Sequence, residues 1–157
     1  MTVKAICAHC ESDCRLTDGA EIYTHRADLH SLKFWICDKC DAYVGCHKPG
    51  NNTRKGNADG TLAMGTAANK ELRKLRHTIH RLIDPYWEQA EHKIVQRKEL
   101  YALLTLYGHM MKFVPNDQAF HVSTLTVESA KVFVSLFEDF TDSYYPYGVR
   151  QGSRVRS

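Results

Sequence analysis

Two pairs of cysteines carry the clearest chemistry in this chain. Cys7-Ala8-His9-Cys10 and Cys37-Asp38-Lys39-Cys40 are CxxC pairs with 26 residues between them. Each pair presents two thiolates from one tight turn to a single ion, and a hairpin between the pairs brings all four together. Four sulfurs at about 2.3 Å close a tetrahedral zinc site with no open position, so such an ion is structural and not catalytic. The spacing implies one structural Zn²⁺ held by Cys7, Cys10, Cys37 and Cys40. It contributes about 10 kcal/mol or more to folding a small lobe. The competing readings are a redox pair or unrelated free thiols, and the paired spacing weighs against both. Cys14 and Cys46 are left over. Either they pack as small hydrophobes, or Cys46 joins His47 in a second site.

A second set of reactive side chains crowds one stretch: Lys70, Arg73, Lys74, Arg76, His77, His80 and Arg81, with Glu71 the only acid before Asp84. At about 100° per residue, Arg73, His77, His80 and Asp84 fall within about 60° of one another on a helix. Three readings stay open. The stretch is a solvated helix face. It is a phosphate-binding stripe, since Arg forks and Lys ammonium groups match phosphate oxygens. Or it is a metal or catalytic cluster in which Cys46, His47, His77, His80 and Asp84 form the candidate second site. Gly65-Thr66-Ala67-Ala68-Asn69 leads into this helix and offers a weak anion-binding signal that capping alone explains.

Composition sets the frame for these groups. A chain of 157 residues, 43% hydrophobic, buries roughly 70% of its unfolded surface and needs no covalent staples. The first residues, Met1-Thr2-Val3-Lys4-Ala5-Ile6-Cys7, have no apolar core or cleavage pattern of a signal peptide. No apolar run approaches the roughly 18–20 residues of a membrane span. The expectation is a cytoplasmic protein in a reducing compartment, where paired cysteines serve metal or chemistry more often than disulfides. The net charge is +3, divided as 0, +4 and −1 over residues 1–60, 61–112 and 113–157. The positive charge therefore sits in the middle third.

The elements that must position these groups follow from periodicity. Glu21–Thr24 and Leu32–Ile36 alternate as strands do. Residues 50–60 are rich in Gly and Asn and form a loop. Asn69 caps a helix with Leu72, Leu75, Ile79, Leu82 and Ile83 on one face. Asp84-Pro85 ends it and starts a second helix, to about Tyr107, with Trp87, Ala90, Ile94, Tyr101 and Leu104 inside and Gly108 as its stop. A strand is expected around Phe120–Val122. Thr126 caps a last helix carrying Ala130, Phe133, Val134, Phe137 and Phe140. The expected architecture is α+β: an N-terminal Cys₄ zinc ribbon over residues 1–48 packed on a small helical domain of about three helices over 66–141. A Gly/Asn-rich loop, 49–65, joins them, and a flexible basic tail, 142–157, follows.

Cys37-Asp38-Lys39-Cys40-Asp41-Ala42-Tyr43-Val44-Gly45-Cys46-His47, then Gly65-Thr66-Ala67-Ala68-Asn69-Lys70-Glu71-Leu72-Arg73, then Arg76, His80 and Asp84-Pro85-Tyr86-Trp87, resemble a family of bacteriophage and bacterial proteins sharing a zinc-finger-containing domain. The resemblance covers about residues 5–110 and, more loosely, the last helix. The first part also resembles the zinc ribbons of topoisomerase tails, which bind single-stranded DNA. The resemblance implies a zinc-ribbon protein, often encoded by phages or prophages, with Cys7, Cys10, Cys37 and Cys40 as ligands. Cys46, His47, Thr66, Asn69, Arg73, His80, Asp84 and Trp87 match signature positions to which no role is attached. The chain departs from the pattern in its long loop 49–64, in Met64-Gly65-Thr66 where Pro-Leu-Gly-Thr is usual, and in Cys14.

Three functions follow as expectations. The first is a phage-encoded accessory protein that binds nucleic acid without catalysis. Lys70, Arg73, Lys74, Arg76, Arg81, Lys48, Arg54 and Lys55 would contact phosphates, and Phe34, Trp35 or Tyr43 would stack on unpaired bases. The second is a module that docks on a host enzyme or defence complex and modulates it. The third is a metal-dependent nuclease using His47, His77, His80 and Asp84. No membrane partner is expected.

Overall fold

The computed structural model describes residues 4–88 and 95–145. The chain divides into two compact units, residues 1–73 and 74–157. The division falls at Arg73/Lys74, a few residues inside the helix that the sequence starts after Asn69. The class is α+β, with a small sheet and the four-cysteine cluster in the first unit.

In the first unit, β1 (Arg15–Asp18), β2 (Lys33–Cys37) and β3 (Ala42–Gly45) form an antiparallel sheet in the order β1-β2-β3. The strand expected near 32–36 is β2. The one expected at Glu21–Thr24 is not a strand: Gly19–Ile22 is a single helical turn, α1. Asp18 caps it through the Ala20 N–H, and Gly19 packs so close to Leu29 that a Cβ would lie 1.8 Å from the Leu29 carbonyl oxygen. Only glycine lets that corner form, and the local turn overrides the alternating pattern. Alternate sides of β2 and β3 then do different work. Trp35, Cys37, Ala42 and Val44 join Ala5, Cys7, Cys14 and Ala67 in the core. Phe34 and Tyr43 instead meet Tyr23, with ring centroids 5.7 to 5.9 Å apart.

The loop that follows β3 is internally tied. Asn57 is 0% exposed. Its Nδ2 donates to the carbonyls of Lys48 and Asn51 at 2.8 and 2.7 Å, and its Oδ1 accepts from the Leu62 N–H at 2.8 Å. Trp35 Nε1 donates to the Thr61 carbonyl at 2.8 Å. The chain then runs back along the sheet. Ala67 pairs with Cys7 and Ala68 with Tyr43, through Ala8 N–H to Ala67 O, Ala67 N–H to Ile6 O, and reciprocal bonds between Tyr43 and Ala68. Helix α2 (Lys70–Ile83) starts from this anchored segment. Asn69 Oδ1 accepts from the Leu72 N–H at 3.0 Å, the capping that the sequence implies.

In the second unit, α2 continues to a single 3₁₀ turn, Asp84–Tyr86. The expected long helix from Pro85 does not start there: Trp87 and Glu88 leave helical geometry. Helix α3 begins at Arg97 and ends at Met110, opened by a capping box between Gln96 and Glu99. Of the expected inner residues, Leu104 is buried, Trp87 and Tyr101 are half-buried, and Ala90 and Ile94 lie outside the described residues. Gly108 does not stop the helix. It sits within α3, and a Cβ there would meet Val114 Cγ2 at 2.5 Å, so the glycine serves the close return of the chain at Phe113–Val114. Residues Val122–Thr124 form a 3₁₀ turn in place of the expected strand. Thr126 caps α4 (Val127–Tyr144) by accepting from the Ser129 N–H, as expected. The basic residues of the expected tail, Arg150, Arg154 and Arg156, lie outside the described residues, while Asp142–Tyr144 end α4.

The second unit's core is aromatic. Phe120, Phe133 and Phe140 are buried with Leu100, Leu104 and Ala130. Ring centroids lie 5.0 Å apart for Tyr107–Phe140 and 5.2 Å for Phe120–Phe133. Among the described residues, no helix is long and apolar enough to cross a membrane.

Candidate metal centre and basic helix

The four cysteines meet because β2 ends in the second knuckle while the first is tied to Ala67. The Sγ atoms of Cys7, Cys10, Cys37 and Cys40 all lie within 4.8 Å of one another. Cys10 Sγ is 3.6 Å from Cys37 Sγ; sulfurs tetrahedrally placed about 2.3 Å from zinc stand about 3.8 Å apart. The ionisation chemistry fits a divalent cation as well. Hydrogen bonds from Ser12 lower Cys10 to about 6. The hydrogen bond with Cys10, then burial, pushes Cys40 up to about 12, and burial pushes Cys37 up. Thiols packed this closely resist losing four protons together, and a Zn²⁺ ion supplies the compensating charge. The chain thus holds one structural Zn²⁺, closed by four sulfurs.

The knuckles are braced from outside. Arg15 donates to Asp38, inside the second knuckle, at 2.8 and 3.0 Å, and also to Glu21. His9 Nε2, inside the first knuckle, accepts from the Asn69 N–H at 2.9 Å. This imidazole therefore links the metal turn to the residue that caps α2. Its partner, 60 residues on, is not visible from local spacing.

Cys14 and Cys46 stay outside the cluster. Burial raises each to about 11, so both are protonated near neutrality, and Cys14 is 3% exposed. They pack as small apolar side chains. Cys46 and His47 sit in the first unit, where Cys46 bridges Ala63 and the His47 N–H donates to the Leu62 carbonyl. His77, His80 and Asp84 belong to the second. Among the described residues, the four-cysteine cluster is the one grouping of three or more His, Cys, Asp or Glu side chains spaced to hold a metal.

Helix α2 sorts its cations. Leu72, Ile79 and Ile83 are 0% exposed. At about 100° per residue, Arg76 falls on the same side as these three. It is largely covered, and burial lowers it to about 10. Arg73 turns to the sheet: its guanidinium lies 3.9 Å from the Tyr43 ring centroid and donates to the Ala68 carbonyl at 2.6 Å. Lys70, Lys74, His77 and Arg81 are exposed, and their 4-3-4 spacing aligns them within about 60° opposite the apolar side. Lys48, Arg54 and Lys55 are exposed on the loop organised by Asn57. The distinction between Arg76 and its neighbours was available in the sequence, because Arg76 stands four residues after Leu72 and three before Ile79. Of the rings expected to stack on bases, Phe34 and Trp35 are buried, at 8% and 5% exposed, and Tyr43 is half-buried under Arg73.

At the end of α2, Asp84 gathers partners. Its carboxylate lies 3.3 Å from His80 Nδ1 and accepts from Trp87 Nε1 at 3.2 Å. An open groove of about 750 Å³ is lined here by His77, Thr78, His80, Arg81, Asp84 and Glu88, among others. Arg97 lies over both the Trp87 ring, at 5.3 Å, and the Tyr101 ring, at 4.3 Å. The sequence singles out His77, His80 and Asp84; the part played by Arg97 comes from α3 and has no local signal.

No curated protein and no solved structure matches the chain. A family model described as a zinc-finger-containing domain matches residues 3–140. With that match spanning both units, and with four sulfurs closing around one ion at its N-terminal end, the chain belongs to this family of zinc-finger-containing domains.

Proposed function

We propose that the protein binds nucleic acid without cleaving it, through the exposed cations of α2 and of the loop before it, with zinc holding the ribbon. The observation that carries this reading is the row Lys70, Lys74, His77 and Arg81, exposed along one side of a 14-residue helix opposite its apolar side. A row of this kind spans about 16 Å at about 1.5 Å per residue. That suits successive phosphates of one strand, and the phosphate term dominates affinity. Lys48, Arg54 and Lys55 extend the positive surface of the first unit. Arg73 and Arg76, with guanidiniums turned to Tyr43 and to the apolar side, act as structural cations in this reading. In this reading the protein is a phage-encoded accessory protein working in a bacterial cytoplasm, as the resemblance of its cysteine and helix motifs implies.

Fluorescence anisotropy with labelled single-stranded and duplex oligonucleotides over a salt series tests the reading. Binding should weaken steeply with salt, and Lys74→Ala and Arg81→Ala should each lower the log–log salt slope by about 1. Absence of a complex at low salt would overturn it. A second reading, docking on a host protein, is favoured by one observation. Leu106 and Met110, one turn apart on α3, are 64% and 61% exposed. That reading expects binding insensitive to Lys74 and Arg81 and reduced by Leu106→Lys.

A further inference from the structure

We propose that the Trp87–Arg97–Tyr101 array, beside the His80–Asp84 pair, is a stacking subsite for an unpaired nucleotide. The proposal rests on the nucleic-acid reading above and gives it a ligand class: single strands with accessible bases.

Four observations within the second unit converge. First, Trp87 is fixed at its polar edge. Its Nε1 donates to Asp84 Oδ1 at 3.2 Å, and the same carboxylate is held by His80 Nδ1 at 3.3 Å. A ring anchored at one edge keeps its orientation and loses little entropy when a base stacks on it. Second, Arg97 is exposed and lies 4.3 Å from the Tyr101 centroid but 5.3 Å from that of Trp87. The guanidinium is seated on Tyr101 and looser over Trp87, and its planar face matches a base as an aromatic ring does. Third, the groove of about 750 Å³ beside Asp84 brings His77, His80 and Arg81 to the same place. His77 and Arg81 are the last members of the exposed row on α2, so a strand following the row arrives with its next nucleotide at Trp87. Fourth, the groove also contains Glu88. Its negative charge and that of Asp84 repel phosphate and can accept from an N–H of an unpaired base, such as thymine N3–H. The backbone is thereby kept to the Lys74–His77–Arg81 side, and the base is turned toward the ring. Phe34, Trp35 and Tyr43 of the first unit are engaged with their own neighbours.

The chain has two tryptophans, and Trp35 is 5% exposed. Both tryptophans emit, but Trp35 is shielded from a ligand, so quenching by a ligand that is lost in Trp87→Phe is assigned to Trp87. The experiment titrates the full zinc-loaded protein with a 12-nucleotide oligothymidine, the same strand with abasic sites, and the matching duplex. Oligothymidine should quench Trp87 emission; the abasic strand and the duplex should bind through phosphates with little quenching. Trp87→Phe, which keeps a ring in place and guards against misfolding, should abolish the quenching. Trp87→Ala should weaken oligothymidine binding by about 10-fold, within the range of a single stacked base, with the salt slope unchanged. Arg97→Gln should weaken the same complex less and leave duplex binding as it was. Quenching that persists in Trp87→Phe, or equal binding of abasic and normal strands, overturns the subsite. The phosphate row would survive that outcome, because Lys74→Ala and Arg81→Ala would still lower the salt slope. Loss of all binding by wild type at low salt overturns both.

Discussion

Around the metal cluster, the first unit buries Ala5, Ala42, Ala67, Val44, Trp35 and three cysteines. The second buries Phe113, Phe120, Phe133, Phe140, Leu100 and Leu104. Small side chains leave little apolar area to remove from water, at about 25 cal/mol per Å². The first unit adds the thiolate cluster, the backbone bridges to Ala67 and Ala68, and a buried amide. The second is held by rings in edge and tilted contact, worth about 0.5–1.5 kcal/mol per pair beyond their area. One chain thus contains a lobe whose order depends on an ion and a lobe whose order depends on packing. The cations assigned to nucleic acid rise from the junction of these two regimes in sequence, on a helix capped by Asn69 of the first unit.

The largest test breaks the first half of this contrast. Removing zinc with a chelator, or substituting Cys37→Ser, should cost the first unit on the order of 10 kcal/mol and unfold it. The second unit should keep its helices. Circular dichroism should retain most of its helical signal, while Trp35 emission shifts red and two thermal transitions separate. A single cooperative loss of all structure on chelation would show that packing in the second unit also depends on the ion.

The opposite test attacks the aromatic lobe. Phe133 is 0% exposed and meets Phe113, Phe120 and Phe137. Phe133→Ala should cost about 3–5 kcal/mol, enough to unfold a marginal domain. Zinc content by elemental analysis should remain one per chain, and Trp35 should stay in its buried environment. Loss of zinc from this variant would erase the distinction between the lobes.

This contrast also explains what the sequence made legible. The zinc ligands were readable because CxxC is a local geometric device: two donors from one turn need no knowledge of the rest of the fold. The caps Asn69 and Thr126 and the apolar sides of α2 and α4 were readable for the same reason. β1 and β3 have four residues each. Such runs are too short to show a period, and they exist because the second knuckle and the Gly19 corner reverse the chain beside β2. Glu21–Thr24 had the alternation of a strand but not the neighbours. Gly108 looked like a helix stop because glycine ends helices often; the contact with Val114, brought back by the next loop, decides otherwise. At the candidate sites, residue types were legible and partners were not. Arg73 and Lys74 are adjacent and both basic, yet Tyr43, 30 residues earlier, claims one of them.

A smaller effect sharpens the view of the aromatic lobe by giving it one titratable seam. Tyr107 is 4% exposed, and its hydroxyl donates to Asp139 at 2.8 Å. Burial first, and the hydrogen bond to Asp139 second, raise Tyr107 to about 12. An unfolded tyrosine ionises near 10. The folded state thus holds this proton more tightly than the unfolded state. The associated stability is complete below about pH 10 and is lost as pH rises toward about 12. Near pH 11 the loss should be about 1 kcal/mol, since one pKa unit corresponds to about 1.4 kcal/mol. Tyr107→Phe removes the titration and the hydrogen bond together. At pH 8 the variant should be less stable by about 0.5–1.5 kcal/mol, the usual net worth of such a bond. Near pH 11 that deficit should shrink or reverse, because only the wild type then suffers the ionisation of its unfolded chain. Urea unfolding of the second unit at the two pH values measures both differences. A deficit that is the same at pH 8 and pH 11 would place Tyr107 in water rather than in the ring stack with Phe113 and Phe140, and the seam would not exist.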